Sequence, residues 1–164
     1  MNDSTPEHID GADMPLPPAI YPLICVGSGY FLNKYIPLTA PEFLTAEPAI
    51  NDKFAAVALI SSLLLIAWSI NTLRRHKTTL LPHKAVVTLV TSGPFQYSRN
   101  PIYLGFSLLL LAMFFSTLNV WLVIFLPLNI WLLQHYVIVP EEKHLKERFE
   151  SDFQDYQSRV RRWI

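Results

Sequence analysis

Charge is what this sequence has least of. Only 16% of its 164 residues are Asp, Glu, Lys or Arg, against about 25% in an ordinary soluble domain. The shortage is also uneven: no such residue occurs between Lys53 and Arg74, nor between Arg99 and Glu141. With a single cysteine, Cys25, the chain has no internal disulfide and no multi-cysteine metal centre. Its 13 Lys and Arg balance 13 Asp and Glu, and no basic patch lies outside the flanks of the apolar runs, which excludes a nucleic-acid binder. Five glycines do not build the glycine-rich strand-to-helix loop of a dinucleotide fold. His76 and His83 have no partners at ligand spacing, so no metal site is expected.

What is present in quantity is uncharged apolar sequence. The run 54–73 has 20 residues, and at about 1.5 Å per residue it matches a bilayer core of about 30 Å. The run between Arg99 and Glu141 has 41 residues, room for two helices, and Ser116-Thr117-Leu118-Asn119 is its one turn-like cluster. A further helix over 19–36 tolerates Pro22 in its first turn. The expected fold is therefore an all-α integral membrane protein with four transmembrane helices, at about 19–36, 54–73, 102–117 and 119–139.

Positive charge orients the spans. Arg74, Arg75, Lys77, Lys84, Arg99, Lys143, Lys146, Arg148, Arg159, Arg161 and Arg162 collect on one side, while Lys34 and Lys53 alone fall on the other. Both termini and the 74–101 loop are accordingly expected to face the cytoplasm, in a bacterial inner membrane or an endoplasmic reticulum. Residues 1–18 read as a disordered tail ahead of a membrane domain over 19–164. Leu145, Phe149, Phe153, Tyr156 and Val160 recur at spacings of three and four, predicting an amphipathic helix over 141–160 against the leaflet. Gly27-Ser28-Gly29 reads as a close-packing patch within a span.

Chemistry concentrates at the cytoplasmic ends of the last two spans. The loop carries Pro82, Gly93-Pro94 and Pro101 and cannot be a plain helix, yet its middle, Ala85-Val86-Val87-Thr88-Leu89-Val90, is apolar. Irregular apolar backbone beside a membrane persists where protein covers it or a cavity adjoins it. A hairpin of the last two spans would bring Arg99 near Glu141. That arginine and the pair Glu141-Glu142 would then be either an interfacial ion pair or the polar edge of a site. Arg99, Tyr103, Glu141 and Glu142 would edge a pocket for an amphiphilic ligand, roofed by the C-terminal helix.

Two motifs give these residues a context. Gly-Pro-Phe-x-x-x-Arg-Asn-Pro-x-Tyr-x-Gly over 93–105, then after the hairpin Glu-Glu-x-x-Leu-x-x-x-Phe-x-x-x-Phe-x-x-Tyr over 141–156, resembles the isoprenylcysteine carboxyl methyltransferase family. Phosphatidylethanolamine N-methyltransferases are its relatives. The likeness covers residues 74–164. It implies an S-adenosylmethionine-dependent membrane enzyme. Carried over by position, cofactor contacts fall on Val87, Thr88, Leu89, Val90, Phe95, Asn100, Pro101, Ile102, Tyr103 and Glu141, with Arg99 and Glu142 at the catalytic edge. A carboxylate suits the cofactor's ammonium, an arginine its carboxylate, and an aromatic wall its adenine or sulfonium. The acceptor implied is lipid-like or prenylated and enters from the bilayer; small residues in the spans would permit a homodimer.

This chain departs from that pattern twice. Asn100 stands where many members have histidine, which removes a titratable group. Val137 stands where the carboxyl methyltransferases place an arginine for the substrate carboxylate, and His135 is the nearest polar candidate for a substrate contact. A helix–helix hydrogen bond is the alternative role for that histidine. Three competing functions remain open at this level: phospholipid N-methylation, an NADPH-dependent sterol-reductase-like activity, and a non-enzymatic membrane scaffold. Against the reductase, Phe106 follows Gly105 where those enzymes carry an acidic residue.

Overall fold

The computed structural model describes residues 15–76 and 88–164. Its elements are α1 (Ile20–Tyr35), the single turn α2 (Glu42–Thr45), α3 (Pro48–Arg75), a 3-10 turn (Gly93–Gln96), α4 (Pro101–Thr117), α5 (Val120–Leu133), a π-helical turn (Gln134–Ile138) and α6 (Val139–Arg159). There is no strand among the described residues.

Helix α3 shows what solvent the fold is built for. Its inward face is small and polar, with Asn51, Ala55, Ala58, Ser62, Ser69 and Thr72 buried. Its outward face is large and apolar: Val57, Leu63 and Leu64 are 64%, 55% and 65% exposed. A water-soluble helix has the opposite polarity. Lipid removes the penalty on exposed leucine, while small residues let helices approach and hydroxyls bond across the contact. Ser62 does so, donating from Oγ to the Gly105 carbonyl of α4 at 2.8 Å. Among the described residues two helices are long and apolar enough to cross a membrane: α3, and the run Val120–Arg159 that joins α5 to α6, whose charge-free part ends at Pro140. Helix α4 is apolar over 17 residues and α1 has 16.

The packing order is α3, α4, α5, α1, each antiparallel to its neighbour. Phe54 near the start of α3 stacks on Phe115 near the end of α4, while Tyr21 at the start of α1 stacks on Tyr136 in the π-turn. The α4–α5 hairpin closes through Leu118, in the left-handed region at φ 50°, and Asn119. Asn119 caps α5 by accepting from the Trp121 N–H and donates to the Gly29 carbonyl of α1. The start of α1, the end of α3, the start of α4 and the end of α5 therefore share one end of the bundle.

Close approach is concentrated at Gly105. A Cβ there would lie 2.5 Å from Ile66 Cγ1 and 3.4 Å from the Ser62 carbonyl, whereas one on Gly27 would meet nothing within 4 Å. Gly29 meets Leu122, so one glycine of the Gly27-Ser28-Gly29 patch is a packing contact and the other is not. Gly105→Ala is expected to destabilise by about 1–3 kcal/mol through overpacking, and Gly27→Ala, inside α1 with room for the methyl group, to leave the melting temperature in detergent level or raise it.

One expectation is refined here. The C-terminal helix expected over 141–160 is present as α6, Val139–Arg159, but it continues α5 without a loop and breaks at Glu150, whose φ of 38° is not helical. Its second half therefore turns back onto the bundle, burying Phe153 and Tyr156 at 1% and 4% exposure. The spacing of three and four runs on across the break because Leu145 and Phe149 before it are half-buried and Phe153 and Tyr156 after it are buried. Of the loop 74–101, residues 77–87 lie outside the described residues, and the tail reading for 1–18 is described only from residue 15.

Candidate active site at the shared end of the bundle

Proline fixes the entry to α4. Pro101 occupies its first turn, and the residue before a proline is pushed away from helical geometry; Asn100 accordingly sits at φ −129°, ψ 53°. Its side chain does not cap the helix but donates from Nδ2 to the Arg162 carbonyl at 2.9 Å. One turn in, buried Tyr103 donates its hydroxyl to Glu141 Oε2 at 3.0 Å.

The carboxylates come from the other arm of the hairpin. Pro140 lacks the N–H that an α-helix would use four residues back, and its ring crowds the preceding turn. That turn widens into the π-helix Gln134–Ile138, with the Val139 N–H donating to the Gln134 carbonyl. Widening carries both Val137 and Ile138 into the core at 0% exposure. Beyond the turn, Glu141 reaches Tyr103 and Glu142 reaches Arg99.

These neighbouring glutamates live in opposite surroundings. Glu142 Oε1 accepts from Arg99 Nε and Nη2 at 3.1 and 2.8 Å and from Arg162 Nε at 3.2 Å, while Oε2 accepts from Arg162 Nη2 at 2.6 Å. Burial raises its pKa, but the bonds from Arg162 and Arg99 outweigh burial and hold it below the usual carboxylate range. Glu141 has no cation paired with it among the described residues. Burial pushes its carboxyl up to about 7, opposed by the Tyr103 hydroxyl and reinforced by the charge of Glu142.

Arg99 is thus committed to Glu142 and not to Glu141. It also donates from Nη1 to the Val160 carbonyl at 2.6 Å, and its N–H to the Arg161 carbonyl at 3.0 Å. With the Asn100 amide on Arg162 and Trp163 Nε1 donating to Gln134 Oε1 at 3.1 Å, these bonds tie residues 160–163 across the site as a strap. Tyr156 adds a bond from its hydroxyl to the Phe95 carbonyl at 2.6 Å.

Of the residues expected at the site, Asn100, Pro101, Ile102, Tyr103 and Glu141 come together with Arg99 and Glu142 at this end. Phe95 is tied to α6 through its backbone, Val90 is buried, Leu89 is half-buried and Thr88 exposed; Val87 lies outside the described residues. His135 is exposed and stacks on Trp131 with ring centres 5.0 Å apart, on the outer surface of the helix. Arg162, Trp163 and Tyr21 were not expected here. The only signal for Arg162 was that two adjacent glutamates need a second cation if both are to be paired.

The family model for phospholipid methyltransferases matches residues 52–152. This chain belongs to that family. The match takes in α3, α4, α5 and the Tyr103–Glu141 and Arg99–Glu142 pairs, and leaves α1 and the strap outside it. The family is one of membrane methyltransferases, in keeping with the lipid-facing surface of α3. No curated protein and no solved structure matches the chain.

Proposed function

We propose that this family member is an S-adenosylmethionine-dependent methyltransferase acting on a lipid-like acceptor that enters from the bilayer, with four spans and with its site and both termini on the cytoplasmic side. The single observation that carries the reading is Glu141: a half-buried carboxylate, held in place by one phenol, and lacking a cationic partner among the described residues. Such a group favours a ligand bearing an ammonium.

The donor set fits the cofactor. When bound, S-adenosylmethionine supplies an activated methyl group on a sulfonium. Glu141 would hold its ammonium, and Tyr103 would fix the rotamer of that carboxylate. Phe95, Leu89 and Val90, with Thr88, would enclose its apolar parts, against the Asn100-Pro101-Ile102 entry to α4. Arg99 and Glu142 serve as positioning residues, because their bonds with Arg162 already engage them. What the protein adds is alignment of donor and acceptor and exclusion of water. No nucleophile of its own is required.

The acceptor reading divides between a prenylated carboxylate and a phospholipid amine, and Val137 favours the amine. It stands at the position of the carboxyl methyltransferases' arginine and is fully buried in an apolar cluster with Leu133 and Ile138, offering a carboxylate nothing. His135, on the outer surface, would meet the acceptor on its way in. Calorimetric titration of detergent-purified protein with S-adenosylhomocysteine tests the reading, with NADPH in parallel. Micromolar binding of the first alone is expected. A folded protein that binds NADPH instead would establish a reductase, and one that binds neither would be a scaffold.

A further inference from the structure

Tyr21 belongs to α1, outside the matched residues 52–152, and the chemistry described so far makes no use of it. It is 4% exposed, and its hydroxyl has no hydrogen-bond partner among the described residues. An orphan hydroxyl in such surroundings is costly, and phenylalanine would fill the same space without that cost.

Its surroundings connect it to the site. The Tyr21 ring stacks on Tyr136 of the π-turn, 6.0 Å between centres and 7° from parallel. It packs in one cluster with Tyr103, Leu133, Val137 and Ile138, against whose edge Trp163 of the strap lies. Tyr103 is the residue that holds Glu141. Tyr136 is 41% exposed, so the aromatic pair runs from the outer surface of the bundle to the buried cluster that contains Tyr103.

We propose that Tyr21 is an acceptor-positioning residue, whose hydroxyl hydrogen-bonds the amine headgroup of a lipid reaching the site between α1 and the π-turn. This rests on the methyltransferase reading above. A phenol oxygen can accept from a headgroup N–H in the ammonium as in the amine form. An aromatic face beside it suits a headgroup cation. An acceptor carboxylate would instead approach the like charge of Glu141. The family-model match, residues 52–152, covers neither Tyr21 nor α1.

The test uses full-length protein in mixed micelles saturated with S-adenosylhomocysteine, with dioleoylphosphatidylethanolamine as the probe lipid and Tyr21→Phe as the variant. Loss of the hydroxyl alone is expected to weaken phosphatidylethanolamine binding at least about fivefold, one hydrogen bond's worth. The S-adenosylhomocysteine affinity should hold within about twofold and the lipid-free melting temperature should stay level or rise, since a buried orphan has been removed. Equal lipid affinity in the two proteins would overturn the proposal. So would a wild type that binds S-adenosylhomocysteine but not this lipid, or a Tyr21→Phe protein that does not fold, because the hydroxyl would then be structural. A wild type that fails to bind S-adenosylhomocysteine sinks the methyltransferase reading itself, a result distinct from these.

Discussion

Glu141→Gln is expected to weaken S-adenosylhomocysteine binding by about tenfold to a hundredfold, the difference between a charge-assisted and a neutral hydrogen bond in a dry site. Glutamine keeps the size and can still accept from Tyr103, so the melting temperature should not fall. The wild type should also carry a pH signature. With the carboxyl pushed up to about 7, about a tenth of it is ionised at pH 6 and about nine-tenths at pH 8, so affinity should rise by about tenfold across that interval. In the glutamine variant the slope should vanish. Calorimetry at the two pH values checks both, and a pH-independent wild type would remove Glu141 from the role of ammonium holder. The same carboxyl makes an opposite contribution to stability. Its folded pKa lies above its unfolded value, so the folded protein loses stability as pH rises from about 4.5 to about 7 and regains it when a cationic ligand binds.

Glu142→Ala should do structural damage that Glu141→Gln does not. Arg99 and Glu142 side chains are both 11% exposed, and Arg162 shares the carboxylate at 34%. Removing the shared anion leaves two guanidinium groups facing each other, a change of about 3–5 kcal/mol where a buried pair is broken from one side. Arg99 would keep its bond to the Val160 carbonyl, so the lower part of that range is expected. The melting temperature in detergent should drop, and limited proteolysis should cut earliest within 157–164 as the strap is released. Lys143→Ala, which breaks a 4.0 Å pair with Glu147 between side chains 78% and 65% exposed, should change neither readout. Because Glu142 is held below the ordinary range, its contribution is present above the usual carboxylate pKa near 4.5 and is lost as pH falls through the lowered value. Acid should therefore loosen the strap in the wild type and have less to loosen in the variant.

Much of the helical layout could be read from the sequence. The charge-free runs 54–73 and 100–140 mark α3 and the α4–α5 hairpin, and the Ser-Thr-Leu-Asn cluster marks the turn between them. Transfer into a membrane is decided by a segment's own composition, so neighbouring residues are enough to find it. The motif residues Asn100 to Tyr103 and Glu141 are likewise brought together as soon as the hairpin forms, because its two arms end side by side.

Which glutamate meets which partner is not a local property. Adjacent helical residues point about 100° apart, so Arg99 could have faced Glu141 or Glu142. The choice follows from the π-turn that Pro140 imposes and from Arg162 arriving from the other side. Nothing in the spacing of 145, 149, 153, 156 and 160 announced the break at Glu150, since a repeat of three and four reports which residues are buried and not whether they lie on one rod. The strap and Tyr21 depend on contacts between residues far apart in the chain: Arg99 with 157–162, Asn100 with 162, Tyr21 with 136. By itself the sequence determined that this protein is built for a membrane and which motif residues the hairpin brings together. Tertiary structure alone decided that Glu142 is locked by two arginines while Glu141 is left charge-hungry, because long-range packing selects one partner from several that short-range geometry allows.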